Sequence, residues 1–170
     1  LEILDLGCAN GSIAKCLAQI DIKGNLYGVD FSEEMVGAAK KTNLYRSVIC
    51  ADLTNGFPII EENVFDVVFM LSFLEFIEDP KILLADVYRS LKPGGKVFLT
   101  FEAMQNKETL RLRAQSTPEV SYYSTDKESI LNLLDGAGLV VESWDEMVGY
   151  VSPSTSMPIN YFAIVAVRKS

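Results

Sequence analysis

Short apolar runs alternate with segments of helical period along this chain, and that alternation limits the folds it can adopt. Residues 1–6 form one apolar run, and the positions after it repeat at the spacing of one helix face, at Ile13, Cys16, Leu17 and Ile20. Repeated units of strand, turn and helix place successive strands parallel and cover both faces of the sheet with helices. We therefore predict an α/β fold with a doubly wound, mostly parallel sheet.

The remaining elements follow from the same pattern. Six further apolar runs are predicted to be strands, at residues 25–30, 46–50, 65–71, 96–101, 139–144 and 161–167. Three further helices are predicted, beginning at Ser32, at Asp79-Pro80 and at a capping box of Thr125 and Glu128. Residues 102–123 are polar without a clean period and are predicted to form a long loop. We expect one domain over residues 1–170, with a helical segment before Leu1 in the whole protein.

Composition excludes several classes of chemistry. The 170 residues contain no histidine, which removes Ser-His-Asp and Cys-His nucleophiles and histidine-dependent metal sites. The net charge of −8 repels nucleic acid. The three cysteines form no C-x-x-C pair, and no apolar stretch reaches the roughly 18 residues of a membrane span. We expect a cytoplasmic protein without a metal site, a nucleic-acid partner or a membrane span.

Four predicted strand ends carry candidate ligand-binding groups, and the fourth of them is the segment of residues 70–75. Residues 5–11 read Asp-Leu-Gly-Cys-Ala-Asn-Gly, and glycines between a strand and a helix let a ligand approach the backbone. Asp30 ends the second strand, where a carboxylate can accept both hydroxyls of a ribose, and Asp52 follows the third strand. The carboxyl ends of parallel strands meet at one edge of a sheet, so we predict a single site there.

Each of these features also has a plain structural interpretation. The glycine segment can be a tight turn without a ligand, Asp52 a solvated turn residue and Met35 a core residue. A dinucleotide-binding oxidoreductase is disfavoured, because the spacing is Gly-x-Ala-x-Gly rather than Gly-x-Gly-x-x-Gly. In addition, Asp5 would place a carboxylate close to a pyrophosphate.

Five motifs, taken in order, resemble those of the S-adenosylmethionine-dependent methyltransferases of the Rossmann-like class. They are ILDLGCANG, GVDFSEEM, ICADL, FDVVFMLSFLEFIEDP and LKPGGKVFLT. The segments YSTDKESILNLLDGAGL and YFAIVAVRK resemble the last helix and the antiparallel last strand of that fold. The resemblance implies a seven-stranded sheet of order 3-2-1-4-5-7-6 and a methyltransferase acting on a small molecule. A catalytically silent module that binds the cofactor, and a protein methyltransferase, are the alternatives.

The resemblance also implies which residues would contact S-adenosylmethionine. They are Asp5, Gly7, Cys8, Ala9, Gly11, Asp30, Phe31, Met35, Asp52, Leu53, Met70 and Leu71. Asp5 would receive the ammonium group, Asp30 the ribose hydroxyls and Asp52 the adenine amine. Ala9 stands where the family often has glycine, so weaker binding is possible but its loss is not expected.

Glu75 is the candidate catalytic residue, since many relatives carry a histidine or another polar residue at that position. A glutamate there could be a general base or hold a group of the substrate, and the alternative is a cap on the following segment. Candidate substrate contacts lie in or beside the predicted long loop, at Tyr122, Tyr123, Arg111 and Arg113. Ordinary loop packing is the alternative for these residues.

Overall fold

A seven-stranded sheet forms the centre of the protein, as a computed structural model shows for residues 1–57, 61–116, 119–153 and 156–169. The strands are β1 (Glu2–Leu6), β2 (Asn25–Asp30), β3 (Ser47–Cys50), β4 (Phe65–Met70), β5 (Leu91–Glu102), β6 (Leu139–Val151) and β7 (Pro158–Arg168). The helices are α1 (Ser12–Gln19), α2 (Glu33–Lys41), α3 (Lys81–Ser90), α4 (Lys107–Ser116) and α5 (Lys127–Gly136), with a 3₁₀ helix at Leu74–Phe76. Within the described ranges, no helix is long and apolar enough to cross a membrane.

The order of the strands is β3-β2-β1-β4-β5-β7-β6, which confirms the order implied by the resemblance. β1 lies between β2 and β4 and is parallel to both, while β7 runs antiparallel to β5 and β6. The parallel strands therefore end at one edge of the sheet, and Gly7, Phe31 and Leu71 are the first residues after β1, β2 and β4. We call this the carboxyl edge.

α3 and α5 cover one face of the sheet and form the main core. Leu84 and Val87 of α3, with Ile130 and Leu134 of α5, are fully buried in one cluster with residues of β4 and β5. These residues recur at the helical spacing that the sequence shows, so the predicted apolar sides of both helices are confirmed.

α1 covers the opposite face, but not through the residues that the sequence predicts. The prediction of a buried stripe containing Cys16 and Ile20 is wrong, because both side chains are exposed. Ala14 is the buried residue of α1 and packs in a cluster with Ile3 and Leu26. A helix turns about 100° per residue. Because Ala14 faces the sheet, Cys16, two residues later, lies on the side of the helix away from the sheet. Ile20 lies beyond the last residue of α1.

Helix α4 occupies part of the segment predicted to be a loop, so that prediction is wrong over residues 107–116. The sequence KETLRLRAQS has no apolar stripe but consists largely of helix-favouring residues. The Asn106 side chain caps its start by accepting a hydrogen bond from the Thr109 N–H at 2.8 Å. This helix therefore forms because its residues favour helix and its start is capped, not because it has an apolar face.

The start of α5 also differs from the prediction. Its N-cap is Asp126, whose Oδ1 accepts a hydrogen bond from the Ser129 N–H at 2.8 Å. The predicted cap, Thr125, instead donates its backbone N–H to the Glu102 carbonyl at 3.1 Å and forms a β-bridge with Ala103. The pairing of Thr125 with the end of β5 leaves the next residue, Asp126, to cap the helix.

The last hairpin is longer than predicted. β6 extends to Val151, because it stays paired with β7 as far as Pro158 through two register shifts. Each shift interrupts the alternation of inward and outward side chains, which is the signal that sequence analysis uses for a strand.

Candidate functional site

The loop between β1 and α1 is tied to the end of β2. The N–H groups of Gly7 and Cys8 both donate to the Val29 carbonyl, at 2.8 and 3.0 Å. Gly7 has a φ of +72°, and a Cβ placed on it would lie 2.6 Å from the ring of Phe73. A larger residue would therefore clash, which explains glycine at this position. The loop is held against the carboxyl edge.

Asp30 joins this glycine loop to the start of α2. Its Oδ2 accepts the Ala9 N–H at 2.8 Å, and its Oδ1 accepts the Ser32 N–H at 3.0 Å. Only 7% of Asp30 is exposed. A carboxylate has about four acceptor positions, so both oxygens can still accept further hydrogen bonds. The structure therefore holds a fixed acceptor pair at the end of β2.

Asp5 lies beneath the same loop and is only 1% exposed. Burial raises the pKa of Asp5 to about 6, the nearby charge of Asp30 acts in the same direction, and a hydrogen bond from Tyr45 opposes both. Burial also raises the pKa of the Cys8 thiol to about 12, so this thiol stays protonated at neutral pH. Cys8 can offer the site its backbone but no thiolate.

An exposed aromatic ring lies at the end of β2. Phe31 is 78% exposed and offers an apolar surface on which a flat ring could stack. Met35 is half-buried in α2. Asp52 follows the neighbouring strand β3 and is exposed, and a hydrogen bond from the Thr54 N–H at 2.9 Å holds the pKa of Asp52 below its usual value. Leu53 beside it is buried.

The end of β4 contributes mainly backbone to this region. The Met70 side chain is fully buried in the main core. Leu71, the next residue, is half-buried. The Ser72 N–H donates to the Thr100 Oγ1 at 2.8 Å, which joins the segment after β4 to β5.

A cluster of buried acidic and phenolic side chains joins the 3₁₀ helix after β4 to the neighbouring strands β5 and β7. Glu75, in the 3₁₀ helix, is buried, and its Oε1 accepts the Tyr161 O–H at 2.5 Å. Glu102, at the end of β5, is buried and directly opposite Tyr161 in the β5–β7 register. Burial raises the pKa of Tyr161, and the hydrogen bond and charge of Glu75 add to this effect, so Tyr161 remains a neutral donor.

The sequence analysis did not identify Glu102 or Tyr161. Both are strand residues, and their proximity depends on the antiparallel register of β5 and β7. The available signal was that each is the polar residue at the end of an apolar strand that reaches the carboxyl edge.

The predicted substrate contacts divide into two groups. The ring of Tyr122 lies 5.5 Å from that of Phe76, and the Tyr123 N–H donates to the Glu75 carbonyl at 2.7 Å. Arg111 instead lies on α4 in an exposed ion pair with Glu108 at 2.9 Å. The Arg113 side chain lies outside the described part of the structure. The structure thus brings Tyr123 to Glu75 and Tyr122 to the neighbouring Phe76, whereas Arg111 is paired on its own helix.

An open cavity adjoins the 3₁₀ helix. It has a volume of about 420 Å³ and is lined by Thr54, Asn55, Phe76, Ile77, Glu78, Asp79, Ile82 and Tyr123. Its walls come from the loop after β3, the segment after β4, the first turn of α3 and the approach to α5. The cavity is large enough for a small molecule.

The family of the chain follows from comparison with known proteins. The sequence profile described as a methyltransferase domain matches residues 4–99, which is more than half of the chain. The chain therefore belongs to the S-adenosylmethionine-dependent methyltransferases of the Rossmann-like class.

Individual relatives agree with this family. The ubiquinone biosynthesis O-methyltransferase of Pseudomonas aeruginosa strain UCBPP-PA14 is 31% identical over 106 residues, which cover 58% of this chain and 43% of that protein. The chain spans less than half the length of the curated relatives that it matches.

Solved structures share the fold. A methyltransferase from Methanosarcina mazei has a TM-score of 0.77 and 21% identity, over 99% of this chain and 92% of that one. Phosphoethanolamine N-methyltransferase 2 of Haemonchus contortus, solved with phosphomonomethylethanolamine and S-adenosylhomocysteine, has a TM-score of 0.79 and 20% identity, over 99% of this chain and 49% of that one.

The groups at the carboxyl edge fit S-adenosylmethionine better than a dinucleotide. Two largely buried carboxyl groups, Asp5 and Asp30, border the glycine loop. Carboxylates suit the ammonium and ribose hydroxyls of S-adenosylmethionine, whereas they would repel a pyrophosphate at this place. The exposed ring of Phe31 suits adenine.

Proposed function

We propose that the protein transfers the methyl group of S-adenosylmethionine to a hydroxyl oxygen of a small molecule. Methyl transfer is supported by the match of more than half of the chain to the methyltransferase domain family. The observation that carries the hydroxyl acceptor is the buried Glu75 carboxyl, fixed by Tyr161 at 2.5 Å. An oxygen acceptor must lose its proton on methylation, and a positioned carboxylate can receive that proton. The O-methyltransferase named among the relatives is consistent with this acceptor.

The proposed cofactor site uses the residues around the glycine loop. S-adenosylmethionine, when bound, supplies a methyl group already activated by its positive sulfur, so positioning can provide most of the rate. Asp5 is proposed to receive the ammonium and Asp30 the ribose hydroxyls. Phe31 and Met35 are proposed to flank the adenine. The other contacts proposed are the backbone of Gly7, Cys8, Ala9, Gly11 and Met70, together with Asp52, Leu53 and Leu71.

Glu75 is the proposed general base. The Tyr161 O–H holds the carboxyl group in one orientation, and the Tyr123 N–H holds the backbone of the same residue. Glu75 is proposed to receive the proton that the acceptor hydroxyl loses. Tyr122 and Tyr123 are proposed to contact the acceptor in the adjoining cavity, and burial of the cluster limits the access of water to it.

The cellular setting is proposed from charge and cysteine chemistry. All three cysteines are free thiols, and Cys16 and Cys50 are exposed. Exposed thiols favour a reducing compartment, so we propose the cytoplasm. The net charge of −8 favours a small molecule over nucleic acid as the acceptor.

A transfer assay with the whole protein tests the proposal. The protein is incubated with S-adenosylmethionine carrying an isotope-labelled methyl group and with matched acceptor pairs in which a hydroxyl is replaced by an amine or by hydrogen. Mass spectrometry should find the label on hydroxyl acceptors, and Glu75→Gln should abolish transfer while binding of S-adenosylhomocysteine persists. Label on amines alone would overturn the oxygen acceptor. Cofactor binding without transfer, even with a metabolite extract, would instead indicate a catalytically silent binding module.

A further inference from the structure

Tyr45 lies in the connection between α2 and β3, yet its ring packs beneath the glycine loop. A Cβ placed on Gly28 of β2 would lie 3.0 Å from the Tyr45 ring and 3.0 Å from the Cys8 Sγ. A side chain at that position would therefore displace the ring or the loop. The absence of a side chain at Gly28 makes room for an aromatic ring that joins β2 to the loop.

The Tyr45 hydroxyl ends at the most buried carboxyl group of the cofactor site. It donates a hydrogen bond to the Asp5 Oδ2 at 2.6 Å. The sheet neighbours of Asp5 are Gly28 on β2 and Phe69 on β4, and neither carries a charge. The titratable groups that act on Asp5 in the described structure are Tyr45, Asp30 and Cys8. Among these, Tyr45 alone favours the carboxylate, because Asp30 repels a second negative charge.

We propose that Tyr45 is a positioning residue for cofactor binding, whose hydroxyl holds Asp5 as an oriented carboxylate that can receive the ammonium of S-adenosylmethionine. This inference rests on the proposed contact between Asp5 and that ammonium. Tyr45 acts through Asp5, and the structure shows two constraints on the pair: the 2.6 Å hydrogen bond and the close packing of the ring against Gly28.

The inference predicts how cofactor affinity depends on pH. Burial raises the pKa of Asp5 to about 6, and the Tyr45 hydrogen bond keeps that pKa from rising further. The ammonium requires the carboxylate, so affinity falls as pH decreases through the pKa of Asp5. Tyr45→Phe removes the donor and retains the ring. The pH at the midpoint of the affinity loss should rise by about half to one unit, because one hydrogen bond corresponds to a pKa change of that size.

The test is calorimetric titration of the whole protein with S-adenosylhomocysteine between pH 5 and pH 8. Tyr27→Phe is the matched control, because the Tyr27 ring packs on Phe65 at 5.8 Å against the main core, whereas Tyr45 packs in the clusters on the other face of the sheet. The midpoint of the affinity loss should lie near pH 6 in the wild type and in Tyr27→Phe, and higher in Tyr45→Phe. An unchanged midpoint in a folded Tyr45→Phe protein would overturn the inference.

Comparison with Asp5→Asn distinguishes a failure of this inference from a failure of the proposed cofactor site. If Asp5→Asn binds as tightly as the wild type at pH 8, the proposed contact between Asp5 and the ammonium is wrong. If Asp5→Asn loses binding while Tyr45→Phe behaves as the wild type, only the role of Tyr45 is wrong. The wild-type curve is a further test, because affinity that is constant from pH 5 to pH 8 would contradict a carboxylate that titrates near pH 6 and would overturn the inference together with the proposed contact.

Discussion

Replacing Ala9 with glycine should stabilise the protein, although the change removes a methyl group and increases the conformational freedom of the unfolded chain. Ala9 has a φ of +45°, in the left-handed region, where its N–H reaches the Asp30 Oδ2 at 2.8 Å. That conformation costs an L-residue about 1–2 kcal/mol. Glycine avoids this cost but loses about 0.5–1 kcal/mol through the greater freedom of the unfolded chain. The net expectation is a gain of about 0.5–1 kcal/mol in the free energy of unfolding.

Thermal and urea unfolding measure this effect. For a chain of this size the gain corresponds to an increase of about 1–4 °C in Tm. Ala18→Gly is the matched control, because Ala18 is exposed in the helical conformation of α1, where glycine costs about 0.5–1 kcal/mol. The two substitutions should therefore change the free energy of unfolding in opposite directions. Equal destabilisation by both would refute the strain assigned to Ala9.

Three further substitutions test separate parts of the structure. Asp30→Ala should weaken binding of S-adenosylhomocysteine by about 1–3 kcal/mol, the cost of unpaired buried groups, and unchanged affinity in a folded variant would exclude Asp30 from the ribose site. Tyr161→Phe should lower kcat about five- to tenfold, because Glu75 loses one hydrogen bond, and cofactor affinity should not change. A lower cofactor affinity at the same kcat would contradict the proposed place of Tyr161 beside the acceptor. Asp126→Ala should lower the free energy of unfolding by about 1 kcal/mol, and a larger loss from Thr125→Ala would mean that Thr125 is the cap.

Several features that depend on neighbouring residues were predicted from the sequence. The apolar sides of α3 and α5, the N-cap Ser32 and the glycine loop all follow from local spacing and were found as predicted. The strand order was implied by the resemblance of five motifs, in their order along the chain, to a known family. Members of a family share the order of their strands, which local patterns cannot determine.

The missed contacts of the candidate site join residues that are distant in the sequence. Tyr45 and Asp5 are 40 positions apart, and Tyr161 and Glu75 are 86 positions apart. No local period relates such pairs, and each forms only when the sheet has its final register. The error in α1 has a related origin, because helical spacing shows that a face is apolar but not which of its residues meets the sheet.

Parallel calorimetric titrations of the whole protein with S-adenosylmethionine, S-adenosylhomocysteine and NAD test the central claim most directly. The carboxyl groups of Asp5 and Asp30 border the glycine loop, where they favour an ammonium and hydroxyls and oppose a pyrophosphate. We predict micromolar binding of both sulfur nucleosides and no measurable binding of NAD. Binding of NAD without binding of either sulfur nucleoside would contradict the account.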